Sequence, residues 1–157
     1  IVNQHQQVVV FSHFLGSLDL LQQAIERMRF GFIRIDGGTT NRQSLIDRFN
    51  EGGASVALCS LRAAGHGINL QSANNVIHVD RWWNPAVEDQ ATDRVHRIGQ
   101  NQNVYVYRIM CEGTLEERIV NILERKRDMT GRIMDAANQG VSGWTREELL
   151  QVLRPLD

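Results

Sequence analysis

The sequence predicts a three-layer α/β/α fold, a parallel sheet with helices covering both faces. Two observations predict it. Short β-branched runs recur along the chain, and the segments between them carry apolar residues at helical spacing. Strand alternating with helix implies crossover connections and a parallel sheet buried on both sides.

Val8-Val9-Val10-Phe11 is an uninterrupted apolar run, as expected of a strand covered on both faces. Phe14, Leu18, Leu21, Ile25 and Met28 follow at helical spacing and predict an amphipathic helix of about four turns. Phe32 to Ile35 is a second strand, ended by Asp36-Gly37-Gly38. Thr40 and Gln43 match a capping box, and Leu45, Ile46 and Phe49 make one apolar face of the helix behind it. Val56 to Cys59 and Val76 to Val79 read as the third and fourth strands, with the glycine-bearing stretch Ala63 to Gly67 between them. Val104 to Tyr107 reads as a fifth, before a long helix from about Thr114 to Arg127. From Thr130 the pattern is again helical, broken at Gly140 and Gly143, with a short last helix after a Thr145 N-cap. The expected division is a lobe over 1–128 and a helical extension, a brace, over 129–157.

A length of 157 residues suits one domain, and 42% hydrophobic content suits a real core. No apolar run approaches the roughly 18 residues of a membrane span, and no secretory signal precedes the first strand, so an intracellular protein is expected. Cys59 and Cys111 sit among apolar neighbours and are expected as buried thiols; neither they nor the five histidines make a metal-ligand spacing. A net charge of −1 excludes a surface that is basic all round, so any DNA binding must use a local stripe. Lys126 is the one lysine among 17 basic residues; the rest are arginines, whose planar fork suits phosphate.

In such a sheet the working residues lie on loops beyond the carboxyl ends of the strands. Those loops hold Ser12-His13, Asp36 to Thr40, Ser60 to Gly67 and Arg81 to Pro85. The most informative stretch is DRWWNPAVEDQATDRVHRIGQ, residues 80–100. Asn84 is a good N-cap and Pro85 a good first helical residue. A helix from there puts Val87, Ala91, Val95 and Ile98 on one packed stripe. Gln90 and Arg97 fall off that stripe and Arg94 lies on its border. A border arginine needs an anion, because unpaired buried charge is costly. The ordinary partners would be Glu88, Asp89 or Asp93, in surface salt bridges.

QATDRVHRIGQ resembles motif VI of superfamily-two helicases, in the HRIGQ form of Swi/Snf-type ATPases. VVVFSHF resembles motif IV, RIDGGTTNRQSLIDRFN the element after it, and SLRAAGHGINLQSANNVIHVD motif V. DRWWNP is similar to the Trp-Asn-Pro segment between motifs V and VI, and VYRIMCEGTLEERI to the end of the core. The wording from Asp80 to Asp93 is closer to prokaryotic members. The resemblance implies the second RecA-like lobe of an ATP-dependent double-stranded DNA translocase. It implies that Arg94 and Arg97 are arginine fingers on ATP held, with Mg²⁺, by a first RecA-like lobe of the same protein.

The same resemblance gives Gln90 a nucleotide-positioning role and lets the backbone at Gly65 and Gly67 approach phosphate. It makes Trp83 a DNA contact with Trp82 as the better core candidate, and makes Ser12, Ser60 and Arg42 donors to DNA phosphates. Departures are His13 where the family usually has Gln, Ala64 and His66 for the common Gly and Leu of motif V, and a turn between Asp36 and Arg42 about two residues short. No G-x-x-x-x-G-K-[ST] occurs, so the chain is read as half an active site, monomeric and inactive alone. It would work in cytoplasm or nucleoid if prokaryotic, in the nucleus if eukaryotic. The alternatives are a binding module that lost catalysis, which Gln90, Arg94 and Arg97 oppose, and an RNA helicase lobe, which Trp-Asn-Pro and HRIGQ oppose.

Overall fold

The protein is described by a computed structural model covering residues 1–2, 6–65, 67–96, 103–130 and 144–153, the side chains of 126–130 and 151 aside. Its elements run β1 (Val8–Ser12), α1 (Leu15–Arg27), β2 (Phe32–Ile35), α2 (Arg42–Asn50), β3 (Val56–Ser60), α3 (Leu61–Ala64), β4 (Asn75–His78), α4 (Pro85–Thr92), β5 (Tyr105–Arg108), α5 (Leu115–Thr130) and α6 (Arg146–Leu153). All five strands are parallel, in the order β2-β3-β1-β4-β5. The expected RecA-like α/β architecture is what is found.

The two innermost strands explain their own composition. Every residue of β1 and β3 is buried, so neither face tolerates a polar alternation. Successive side chains point to opposite faces, and the core divides accordingly. Val9, Phe11, Ile33, Ile35, Ala57, Cys59 and Val76 meet Ile46 and Phe49 of α2 and Ala91 of α4 on one face. Val8, Val10, Val56 and Leu58 meet Leu18 and Ile25 of α1 on the other. On α1's side Tyr105 and Tyr107 of β5 stay largely exposed.

Local signals succeed where a side chain closes the helix end and fail where the backbone does. Asn84 Oδ1 accepts the Ala86 N–H at 3.1 Å, with Pro85 opening α4 as expected. At α6 the Glu148 N–H donates to Thr145 Oγ1 (3.2 Å) and the Thr145 N–H to Glu148 Oε2 (2.6 Å), a complete capping box. The box expected from Thr40 and Gln43 does not form. Asn41 is the N-cap without a side-chain bond, and Gln43 donates forward to Asp47 Oδ1 at 2.8 Å.

Helix α4 is also shorter than its stripe suggested. It ends at Thr92, and tighter turns carry the chain to Val95, whose N–H donates to Thr92 O at 2.9 Å. Val87, Ala91 and Val95 still reach the core, while Ile98 lies outside the described residues. Cys59 is fully buried, which pushes its thiol up to about 12, but Cys111 is exposed, contrary to expectation. The division expected at residue 128 falls inside α5, against which α6 packs.

Candidate functional site

The chain leaves β1 toward β2 on one edge of the sheet and leaves β4 toward β5 on the other. These strands are neighbours, so their carboxyl ends flank the crevice where ligands bind in open α/β sheets. Two buried polar side chains close it from within. The Ser12 hydroxyl, 0% exposed, donates to Asp80 Oδ2, and the His13 N–H donates to Asp80 Oδ1 at 2.9 Å. The acid after β4 thereby ties down the loop after β1. Ser12, expected in the loop, is instead the last residue of β1, and its proton is spent on Asp80 and is not presented to solvent. Ser60, opposite Ser12 in the register, is buried too; its Oγ accepts the Ala63 N–H at 3.3 Å and caps α3.

Aromatic rings line the mouth of this crevice. His13 stacks on Trp82 with centroids 3.4 Å apart and planes 22° from parallel. Trp82 leans on Trp83 at 5.4 Å, and His13 meets the exposed Phe14 edge-on at 5.6 Å. Trp82 is therefore a partly buried ring in this stack and not the core residue expected; neither tryptophan belongs to a core cluster. Burial lowers the pKa of His13, Asp80 opposing and Arg62 adding to the effect, so the neutral ring is favoured. The His13 that replaces the family's usual Gln is thus the partner of Trp82.

Arg42 turns back on its own loop. Its Nη2 donates to Asp36 O at 2.9 Å and its Nε to Thr39 O at 3.2 Å. Asp36 Oδ1 accepts the Gly38 N–H (2.9 Å) and Thr39 Oγ1 accepts the Asp36 N–H (3.0 Å). The short turn after β2 is therefore rigid, and Arg42 clamps it.

The acids expected to pair with Arg94 are otherwise engaged. Glu88, 1% exposed, takes the Trp82 N–H (2.8 Å) and Arg81 Nε (3.2 Å) on Oε1, with Arg108 Nε 3.4 Å from Oε2. Asp89 accepts from Arg108 Nη2 at 3.2 Å. Arg94, partly buried, has a buried Nε with no hydrogen-bond partner, and no carboxylate among the described residues pairs with it. Its own carbonyl accepts the Leu70 N–H at 3.2 Å, which seats it beside the segment after Gly67. Gly67 has φ +71° and open space where a Cβ would stand, so it is glycine for its backbone and leaves room above it. Gly65 is ordinary right-handed backbone with no such need. Gln90 is exposed on α4, and Arg97 lies outside the described residues.

Sequence reasoning missed Asp80, Glu88 and His78. An acid directly after a buried strand was the available signal for Asp80. For Glu88 there was none, since a helix surface and a three-element joint read alike in one dimension. His78 is 0% exposed, stacks on Phe11 at 5.5 Å and lies 3.0 Å by Nε2 from Thr92 Oγ1.

A parallel RecA-like sheet with an arginine in the turns just past α4 and a glycine loop beside it defines a class, the second lobe of a helicase-like motor. The model for the helicase conserved C-terminal domain matches residues 1–99, and the chain belongs to that family, as a lobe of the Swi/Snf type. It is 44% identical over 131 residues to the DNA repair protein RAD5A of Arabidopsis thaliana, covering 81% of this chain and 13% of that one. It is 35% identical over 156 residues to the putative ATP-dependent helicase/translocase YwqA of Bacillus subtilis, covering 98% and 16%. The C-terminal part of the Fun30 ATPase domain superposes with a TM-score of 0.73 at 39% identity, over 77% of this chain and 40% of that one. The chain thus spans only about a sixth or less of the length of these curated relatives.

Proposed function

We propose that this lobe works in an ATP-dependent translocase on double-stranded DNA, supplying Arg94 and Arg97 to ATP bound by a first RecA-like lobe. The observation that carries the reading is Arg94, whose buried Nε has no acceptor. A buried guanidinium N–H without an acceptor is costly, and a phosphate group has the geometry to supply one. Gly67 leaves open space in the segment that Leu70 ties to the Arg94 carbonyl, and Gln90 on α4 is exposed and available to a nucleotide. Phosphoryl transfer spreads charge over equatorial oxygens, and arginines delivered across an interface stabilise that charge, contributing about 10³–10⁵ in rate. Mg²⁺ would arrive with ATP on the first lobe.

The DNA side of the reading rests on Trp83, a partly buried ring at the crevice mouth outside both core clusters. Relatives named as a DNA repair protein and a putative helicase/translocase support the same direction. Comparing ATPase stimulation of the full-length protein by duplex DNA, single-stranded DNA and RNA tests it. Strongest stimulation by the duplex is expected. Preference for RNA would favour an RNA helicase lobe, and no ATPase at all would favour a binding module.

A further inference from the structure

Helix α4 carries Gln90 and ends just before Arg94, while the loop before it carries Trp82 and Trp83. One buried carboxylate joins them. Glu88 Oε1 accepts the backbone N–H of Trp82 at 2.8 Å, the point from which the two tryptophans project. The same oxygen holds Arg81 Nε at 3.2 Å, so the residue before Trp82 is fixed as well. Oε2 faces Arg108 Nε across 3.4 Å, and Arg108 also holds Asp89, which anchors the joint to β5. From the opposite side His13 stacks on Trp82 at 3.4 Å. Trp82 is therefore clamped between an imidazole from the β1 loop and a carboxylate from α4, and Trp83 leans on it.

A carboxylate 1% exposed is costly unless its partners are in place, so Oε1, which accepts from both the Trp82 N–H and Arg81, holds one arrangement strongly, while Oε2 faces the Arg108 charge without a hydrogen bond. A surface ion pair would not, because its partners stay solvated in any geometry. We propose that Glu88 is a positioning residue, which sets the place of Trp83 through Trp82 and makes the DNA-facing loop move as one body with the helix that leads to Arg94. The inference rests on the reading of Trp83 as a DNA contact for its functional consequence, but not for its geometry.

Two measurements on the full-length protein test it. The first is a double-mutant cycle on the duplex DNA concentration that half-saturates ATPase stimulation. Glu88→Gln should raise that concentration about tenfold, within the span that one aromatic contact is worth. Combining it with Trp83→Ala should add almost nothing to Trp83→Ala alone, because both remove the same placement. Additive losses would overturn the proposal and leave Glu88 as a packing residue. The second is fluorine NMR on protein labelled with 5-fluorotryptophan, the Trp82 and Trp83 signals assigned by single Trp→Phe changes. Glu88→Gln should shift or broaden these two signals and leave that of Trp144 in place.

Unchanged Trp82 and Trp83 signals would overturn the proposal whatever DNA does. Shifted signals with a wild-type DNA response to Trp83→Ala would uphold the positioning role and sink the DNA reading of Trp83. If Glu88→Gln does not fold, the paired Arg81→Leu, Glu88→Leu variant removes acid and base together and serves both measurements with the same expected outcomes.

Discussion

His78 makes stability depend on pH through one buried proton. Thr92 has a single hydroxyl proton, which it gives to Glu88 O at 3.0 Å, so it accepts from His78 Nε2–H. The other tautomer would bury an N–H at Nδ1 without an acceptor, the rarer and costlier kind of orphan. A second proton at Nδ1 would have no partner either, and burial with Arg108 and Arg81 nearby lowers the pKa from 6.5 to about 4. Between these values the unfolded chain binds the proton and the folded chain does not, so stability rises with pH across that window. The contribution is fully present above 6.5, declines as pH falls, and the loss is complete below about 4. At ~1.4 kcal/mol per pH unit the loss is roughly 3 kcal/mol.

Urea unfolding of this chain at intervals from pH 7.5 to 4, compared with His78→Gln, reads the effect. Gln keeps a donor for Thr92 and cannot titrate, so the variant should lose less stability toward acid, by about the amount given above. Carboxylates titrate in both proteins and cancel in the difference. Parallel pH profiles would refute the reasoning, since they would mean that His78 is protonated or solvated in the folded state.

Three further outcomes follow from the same structure. Thr145→Ala should cost α6 about 1 kcal/mol, read as faster amide exchange confined to residues 145–153, because it removes half of a reciprocal cap. Exchange unchanged there would show that packing on α5 alone holds the helix. Trp83→Ala should weaken DNA-stimulated activity with a nearly unchanged melting temperature, the stacking contact being worth ~1–3 kcal/mol; loss of several degrees would make Trp83 a structural residue. The isolated chain should not hydrolyse ATP, having no P-loop. Turnover above background that disappears with Arg97→Ala would refute that.

The sheet was legible because its signal is one-dimensional. β1 and β3 are buried on both faces, and so Val8–Phe11 and Val56–Cys59 are written as unbroken apolar runs. Asn84 and Thr145 were legible as caps because a cap acts on residues two or three positions away. The site was legible as a set of loops but not as a set of contacts. Ser12 meets Asp80 across 68 positions and His13 meets Trp82 across the same crevice, pairings set by strand order and not by local pattern. The Glu88 carboxylate looked like a surface charge because helical spacing says which face a residue shares, not what β5 brings to that face. Extending α4 at 100° per residue failed for the same kind of reason: the turns after Thr92 tighten to fit Val95 into the core.

Arg94 and Arg97 are proposed to act in trans on charge that develops in the transition state. Steady-state ATPase of the full-length protein at saturating duplex DNA, with Arg94→Ala and Arg97→Ala, tests that role. Each variant should lose about 10³-fold in kcat with ATP affinity little changed, and Arg97→Lys should recover little, since an ammonium offers no planar fork. Values of kcat within a few-fold of the parent for both alanine variants would show that the two arginines do not act on the transition state.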